Sequence, residues 1–265
     1  MARKLTDSSQ PSENDSATKK KLHKNIISIV VIAVAAVVLI FALINIFNIK
    51  GEDYENASTY QKIEKAAVTQ PDAAQIESAD KRIDFAALHA INEEIVGWIT
   101  IDGTKIDYPL TQAKDNDYYI SHNAEKLVNR GGAIFLDKDA SADFSDQNTV
   151  IYGHNMNDGS MFADLHKYEN PDFFLQHRFV DLYTPDGKQQ YEIFAAYKTA
   201  DNGQTYTHSF ADADAFLTYL DDMSALSTAK SDAVLTANDT ILTLSTCVKG
   251  EDTFRYVVQA VKMKA

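Results

Sequence analysis

The residue with the most evident capacity for chemistry is Cys247, the only cysteine among 265 residues. It follows the strand-like run ILTLST, and Arg255 opens the next such run, RYVVQAV. If the two runs pair as a hairpin with residues 248–254 as its loop, the guanidinium can reach the sulfur or a group bound to it. A cation there favours the thiolate and stabilises an oxyanion. Taken alone, however, the pattern is better explained by a buried structural cysteine, because cysteine is among the most buried residue types.

A nucleophilic thiolate also needs a base or an imidazolium partner, and His154 is the candidate. It follows the apolar run 149–152, and Gly153 before it permits an unusual backbone turn that would project the imidazole from the end of a strand. A turn histidine bonded to the backbone is the alternative. Four further histidines lie among polar residues and are expected to be solvated surface side chains: His122, His166, His177 and His208.

Short strands are the elements that must position these residues. Apolar runs bounded by turn residues predict eight strands: 98–101, 105–110, 133–136, 149–152, 179–184, 190–197, 240–245 and 255–261. Turns are expected at Asp-Gly pairs 102–103, 158–159 and 186–187. A helix is predicted from Ile83 to Gly97, with helical inserts at 160–168 and 210–226. Strands this short and this numerous predict a mainly β fold built as a closed or nearly closed barrel.

An apolar segment near the N-terminus predicts a membrane anchor. Ile26 to Ile44 is 19 residues long, with Ser28 its only polar member and no charge, which is enough to cross a bilayer. A buried core helix is rarely so apolar throughout, and a cleaved signal peptide would end in a small-residue cleavage site that 41–47 does not supply. Lysines precede the segment and acidic residues follow it, so the N-terminus is expected in the cytoplasm and the remainder outside, a single-pass type II topology.

The resulting organisation has four parts: a disordered cytoplasmic tail (1–25), a transmembrane signal anchor (26–47), a stalk with helical character (48–81) and a catalytic domain (82–265). After residue 50 the chain carries 18 Lys and Arg against 35 Asp and Glu, and the whole chain has a formal net charge of −13. The lack of a concentrated basic face beyond the N-terminal run argues against nucleic acid as a partner. In an oxidising exterior an unpaired thiol is a liability, so a single cysteine there favours a reactive one.

Several stretches of the sequence, taken together, resemble the sortases, the membrane-anchored cysteine transpeptidases of Gram-positive bacterial surfaces, and class B in particular. They are TLSTC followed by RYVV, IYGHNMNDGSMFADL, GWITIDGTKIDYPLTQ, KDNDYYISHN and GGAIFLD, within residues 83–261. The resemblance implies a sortase-like eight-stranded β-barrel with an N-terminal helix. It also implies a catalytic triad of His154, Cys247 and Arg255. Class B loops after the cysteine often carry aromatic residues where this chain has Lys249 and Glu251.

The activity implied by the resemblance is cleavage of a C-terminal sorting signal of exported proteins after Thr. The acyl group would pass through a thioester to an amine of a cell-wall precursor or a pilin. Asn116, Ser245 and Thr246 are the candidate substrate contacts, with strand packing an equal alternative for the last two. The sequence leaves open whether the signal is LPxTG-like, NPxTN-like or another, and whether the acceptor is a wall precursor or a pilin. No cofactor is expected, since there is no His-Glu-x-x-His and no second cysteine; calcium stays open, although no EF-hand-like loop is present.

Two other classes of protein remain as alternatives. Other membrane-tethered cysteine peptidases or cell-wall hydrolases fit poorly, because papain-like wall amidases place Cys before His and L,D-transpeptidases use a Ser-His-Gly-Cys-like element. The second alternative is a non-catalytic extracytoplasmic binding module with an inert cysteine. Reaction of Cys247 with a small thiol reagent would separate an inert cysteine from a catalytic one.

Overall fold

The structure is a computed structural model that describes residues 13–69 and 81–264, with no side chains described at 13–19 and 21–28. The start of the expected cytoplasmic tail and most of the Pro71-containing part of the expected stalk lie outside the described residues. Contacts between residues divide the chain into two units, Met1–Gly51 and Glu52–Ala265.

The first unit is helical wherever it is described, and its helix α1 (Glu13–Ala67) continues into the second unit. One stretch among the described residues, Ile29–Ala67, is long and apolar enough to cross a membrane, and none of its most apolar part is buried in the protein. Apolar side chains such as Phe41 and Phe47 are exposed. A helix with apolar side chains on every face is typical of a segment surrounded by lipid.

Eight strands of the second unit close into a barrel in the order β10-β8-β7-β3-β4-β5-β6-β9, which confirms the predicted fold class. Their bounds are β3 Ile95–Ile101, β4 Asp107–Thr111, β5 Ile134–Leu136, β6 Asn148–Tyr152, β7 Phe179–Thr184, β8 Gly187–Ala200, β9 Ile241–Val248 and β10 Glu251–Lys262. A small antiparallel pair, β1 (Val68–Thr69) and β2 (Arg82–Ile83), stands apart from the barrel sheet. Two neighbouring pairs, β4 with β5 and β6 with β9, run parallel.

The helices of the second unit are short and pack around the barrel. Besides the end of α1, they are α2 (Phe85–Ile91), α3 (Pro171–Gln176), α4 (Ala213–Leu226) and three 3-10 helices, Tyr118–Ile120, Ala163–Glu169 and Gln204–Tyr206. From α4, Phe216 and Leu220 pack in a cluster with Ile241 and Val257. At the end of α1, Tyr60, Ile63 and Ala67 are buried in the main core. The strands that carry the predicted catalytic residues are therefore braced by packed side chains.

Several local predictions were wrong. The helix expected from Ile83 begins at Phe85, since Ile83 is part of β2. The helix α2 ends at Ile91 rather than Gly97, because the buried Asn92 side chain donates to Tyr119 Oη at 2.8 Å and to the Ala124 carbonyl at 3.0 Å. These bonds turn the chain into β3. The seven-residue loop expected between β9 and β10 is also absent: Val248 pairs with Glu251, and Gly250, at φ +77°, lets a tight turn form. The extra length becomes an irregularity within β10, between Glu251 and Arg255.

Candidate active site

Strand pairing brings the three predicted catalytic residues to one end of the barrel. β6 runs parallel to β9, with Tyr152 opposite Ser245, and the Gly153 N–H donates to the Ser245 carbonyl at 3.1 Å. Because parallel strands end at the same edge, His154 after β6 and Cys247 in β9 emerge side by side. β10 is antiparallel to β9, with Arg255 opposite Cys247.

A cleft of about 470 Å³ opens at this edge. Every residue predicted from the sequence as part of the site lines it: Asn116, His154, Ser245, Thr246, Cys247 and Arg255. The volume is in the range of pockets that hold a small ligand or a few residues of a peptide.

Cys247 is exposed in the cleft, whereas Ser245 and Thr246 before it in β9 are buried. The interpretation of Cys247 as a buried structural cysteine is therefore wrong. A thiol that reaches solvent beside an imidazole and a guanidinium has the surroundings of a reactive cysteine.

His154 is half-buried, and its Nε2 lies 2.7 Å from the carbonyl oxygen of Ile120, to which it donates. This bond fixes the ring against the cleft wall. The reason given for Gly153 was wrong, since it is not among the glycines at positive φ. Glycine is needed there because a Cβ would lie 2.5 Å from Ile134 Cδ1 and 2.7 Å from Phe162 Cγ. The close approach of the chain to its core, rather than a left-handed turn, sets the position of the imidazole.

Arg255 is held by the irregular start of its own strand, β10, and by Asp201. Its Nη1 donates to the Asp252 carbonyl at 2.6 Å and to the Phe254 carbonyl at 2.9 Å, and its Nη2 lies 3.6 Å from an Asp201 carboxylate oxygen. The irregularity in β10 supplies these carbonyls. A guanidinium held in this way is already oriented, and it retains N–H groups for a ligand in the cleft.

The three predicted substrate contacts are bonded to the protein itself. Ser245 Oγ lies 3.0 Å from Tyr206 Oη, and Thr246 Oγ1 donates to the Gly153 carbonyl at 2.8 Å. Asn116 donates to Asp137 at 2.9 Å and accepts from the Lys138 N–H at 2.7 Å. These side chains support the walls of the cleft, and their direct contact with substrate stays a prediction.

Two tyrosines in the wall were missed in the sequence. Tyr152 Oη donates to Asp137 at 2.9 Å, and its ring stacks on that of Tyr206 with centroids 6.2 Å apart. Burial, with the negative charge of Asp137, raises the pKa of Tyr152 well above its usual range, and burial also raises the pKa of Tyr206. Both hydroxyls therefore stay protonated at neutral pH. Tyr152 directly precedes Gly153-His154, which is the only sequence signal that could have identified it.

A second histidine contacts the backbone of the cysteine. The carbonyl oxygen of Cys247 accepts from His166 Nε2 at 3.0 Å and from Asn155 Nδ2 at 2.9 Å. His166 Nδ1 lies 2.7 Å from Glu169, and its ring stacks on Tyr256. The expectation that His166 is a solvated surface histidine was therefore wrong. Only the fold reveals this contact, because His166 is 81 residues from Cys247 along the chain.

No group of three or more His, Cys, Asp or Glu residues in the described part of the chain could hold a metal ion.

Comparison with known proteins agrees with the geometry. The sortase domain family matches residues 99–263. Sortase B of Listeria monocytogenes is 38% identical over 218 residues, which cover 82% of this chain and 89% of that protein. Sortase B of Staphylococcus aureus is 32% identical over 239 residues, covering 89% of this chain and 96% of that protein.

A solved structure is similar to this chain in fold as well as in sequence. The crystal structure of sortase B from Bacillus anthracis in complex with AAEK1 superimposes with a TM-score of 0.70 at 35% identity, covering 81% of this chain and 99% of that one. Agreement of this extent in sequence and in fold means that the chain belongs to the sortase family, among the class B enzymes, which are cysteine transpeptidases.

Proposed function

We propose that His154, Cys247 and Arg255 are the catalytic residues of this transpeptidase, and that the cleft around them binds a sorting signal near the C-terminus of an exported protein. The observation that carries the proposal is the exposure of Cys247 in a cleft that His154 and Arg255 also line. Sortases in general act on exported proteins with sorting signals and on cell-wall components. The particular signal and acceptor of this chain belong to the proposal.

In the first half-reaction the Cys247 thiolate attacks the carbonyl carbon of the Thr that ends the retained part of the substrate. Arg255, with backbone N–H groups near Thr246, stabilises the tetrahedral oxyanion. His154 gives a proton to the leaving nitrogen as the C–N bond breaks, which releases the tail and leaves a thioester. The Ile120 carbonyl, as an acceptor, supports the ring form that carries a proton on Nε2.

In the second half-reaction an amine of a cell-wall precursor or a pilin attacks the thioester carbon. His154 now accepts a proton from that amine, and the Cys247 thiolate leaves. One peptide bond is broken and another is formed, so the net reaction is transpeptidation and needs no oxidant or cofactor.

The proposal extends to the membrane. The apolar helix of the first unit could be an anchor, and sortases are cell-surface enzymes. We infer a single-pass type II protein with a cytoplasmic tail (1–25), an anchor (26–47), a linker (48–81) and an extracytoplasmic catalytic domain (82–265). Lysines before the anchor and acidic residues after it support this orientation.

The test uses the full chain in detergent with a panel of fluorogenic sorting peptides, both LPxTG-like and NPxTN-like, with and without an amine acceptor. Wild-type protein should cleave at least one peptide and, without acceptor, accumulate a thioester visible by mass spectrometry. C247A should do neither. R255K should lower kcat/KM on the order of a hundredfold, because a point charge does not reproduce the guanidinium fork.

R178K is the matched control for R255K, since Arg178 pairs with Glu192 on the barrel surface and is not part of the cleft. It should retain the wild-type rate. Cleavage by C247A at the wild-type rate would refute the proposed nucleophile, and equal rates for R255K and R178K would remove Arg255 from the mechanism.

A further inference from the structure

A short loop on the second unit presents two aliphatic side chains to solvent between two cations. We call residues 126–130, Lys-Leu-Val-Asn-Arg, the KLVNR loop. Val128 is 81% exposed and Leu127 is 58% exposed. Single exposed apolar side chains are common on protein surfaces, but two adjacent ones flanked by basic residues are typical of segments that lie in a membrane interface.

The KLVNR loop is held in this shape by backbone bonds. The Asn123 N–H donates to the Leu127 carbonyl at 2.9 Å, and the Asn129 N–H donates to the Ser121 carbonyl at 2.8 Å. Lys126 adopts φ +63°, a left-handed conformation that is costly for a residue with a side chain. The fold thus maintains a strained turn whose apolar tip is largely exposed to solvent.

The loop is tied to the residues that follow the apolar segment. Arg130 forms ion pairs with Glu52, at 3.3 Å, and with Asp53. Asp53 is four positions after Ile49, an exposed aliphatic residue just beyond the apolar segment, so even a fully extended chain places Asp53 no more than about 14 Å from it. The headgroup layer adds roughly 5–8 Å to each face of the hydrocarbon core. The KLVNR loop is therefore within reach of the bilayer surface.

A tyrosine next to these ion pairs is also suited to a membrane interface. Tyr54, directly after Asp53, is 76% exposed. Tyrosine is enriched at the membrane–water interface, where its ring contacts lipid and its hydroxyl stays in water. Two separate segments thus present side chains suited to an interface, and the Arg130 ion pairs join them.

We propose that the KLVNR loop contacts the bilayer, with Leu127 and Val128 entering the interface between headgroups and acyl chains. Lys126, which pairs with Glu94 at 3.2 Å, and Arg130, which pairs with Glu52 and Asp53, have side chains 41% and 39% exposed and lie at headgroup level. The inference rests on the membrane anchor included in the proposed function. The contact fixes the orientation of the barrel on the membrane, which a single connecting helix does not do.

The contact also bears on the active site, because the KLVNR loop is bonded to residues that directly follow Ile120 in the cleft wall. Val128 pairs with His122 in a β-bridge, and Asn129 is bonded to Ser121. These partners directly follow Ile120, whose carbonyl accepts from His154. The bilayer therefore orients the same segment that holds the His154 ring.

The test measures quenching of an introduced tryptophan by lipids brominated near the headgroup end or, in a second set, near the methyl end of their acyl chains, so that both faces and the centre of the roughly 30 Å hydrocarbon core are probed. The full chain is reconstituted into phosphatidylcholine and phosphatidylglycerol vesicles with and without bromine. The native Trp98 is fully buried and supplies a constant background. V128W emission should fall at least about twofold in brominated vesicles, as expected for a side chain at the acyl boundary.

Two controls separate the possible outcomes. V234W is the matched control, since Val234 is 83% exposed and a tryptophan there has the same intrinsic affinity for lipid; its emission should not change. V37W lies inside the apolar segment and reports whether that segment is in the bilayer at all. Quenching of V128W and V37W but not V234W supports the inference.

Quenching of V37W alone would overturn the proposed contact while leaving the anchor intact. Absence of quenching at V37W would overturn the anchor and the contact together. Equal quenching of V128W and V234W would show unspecific adsorption and contradict the proposal. Blue-shifted V128W emission that depends on protein concentration, without quenching, would instead identify a second copy of the chain as the occupant of the KLVNR loop.

Discussion

At the scale of single residues, the backbone of Cys247 is held by side chains from another part of the chain. Its carbonyl accepts hydrogen bonds from both Asn155 and His166. A nucleophile is useful only when its sulfur stays in the productive geometry, and neighbours that lock the local backbone provide this. His166 is in turn oriented by Glu169. We therefore regard His166 as a positioning residue.

Replacing His166 by alanine should lower kcat for thioester formation about tenfold while KM stays close to the wild-type value, because the Asn155 bond remains and substrate contacts are unchanged. H89A is the matched control, since His89 Nε2 also bonds a backbone carbonyl, that of Ile95, at 2.9 Å, away from the cleft. Both variants should lose similar stability in thermal unfolding. Single-turnover kinetics in which H166A and H89A acylate at the same rate would contradict a positioning role.

At the scale of elements, the parallel pairing of β6 with β9 determines where His154 and Cys247 emerge. The side chain of Thr246 donates to the Gly153 carbonyl one residue beyond Tyr152 and Ser245, the last backbone pair of the two strands, and so extends their pairing. Thr246 is buried, so water cannot replace the bond if it is lost.

The substitution T246V removes this donor with little change of shape and leaves the Gly153 carbonyl without its partner. The free energy of unfolding should fall by about 1–3 kcal/mol, and kcat should fall because His154 directly follows the released carbonyl. T246S keeps the hydroxyl and should restore both quantities for the most part. Calorimetry and peptide cleavage on the two variants make the comparison. A T246V protein as stable and as active as T246S would show that the bond does not couple the strands.

At the scale of the whole molecule, the approximate positions of the barrel strands along the chain could be predicted because each carries its own apolar pattern and turn signals. Their order in the barrel, with two parallel pairs, emerges only from the structure. The catalytic candidates could be identified because residue type and motif are local properties. The early end of α2 could not, since it depends on Asn92 meeting Tyr119 and Ala124. The same holds for His166, whose role exists only once distant segments pack together, and for Gly153, whose requirement is set by Ile134 and Phe162.

The fold also buries many tyrosines, and their raised pKa values determine how its stability changes at high pH. Ten of the 13 tyrosines have a pKa raised chiefly by burial: Tyr60, Tyr108, Tyr119, Tyr152, Tyr168, Tyr191, Tyr197, Tyr206, Tyr219 and Tyr256. They come from the helix end, the barrel strands and the inserts alike, so their titration is a property of the whole second unit.

The unfolded chain loses these protons near pH 10, whereas the folded chain keeps them to higher pH; burial raises the pKa of Tyr256, for example, to about 12. Above pH 10 the folded state therefore binds more protons than the unfolded state, and stability falls as pH rises. Each such tyrosine contributes up to about 1.4 kcal/mol per pH unit. Below pH 10 their contribution is fully present and independent of pH.

We therefore expect cooperative unfolding of the full chain in detergent between about pH 10 and 12. In one transition, tyrosinate absorbance should rise and the near-ultraviolet circular dichroism of Trp98 should disappear. Y256F, which removes one hydroxyl and keeps the ring against His166, should unfold at a higher pH than wild type. If most tyrosines instead ionised near pH 10 while the Trp98 signal persisted, burial in the folded state would not be raising their pKa values, and the prediction would be wrong.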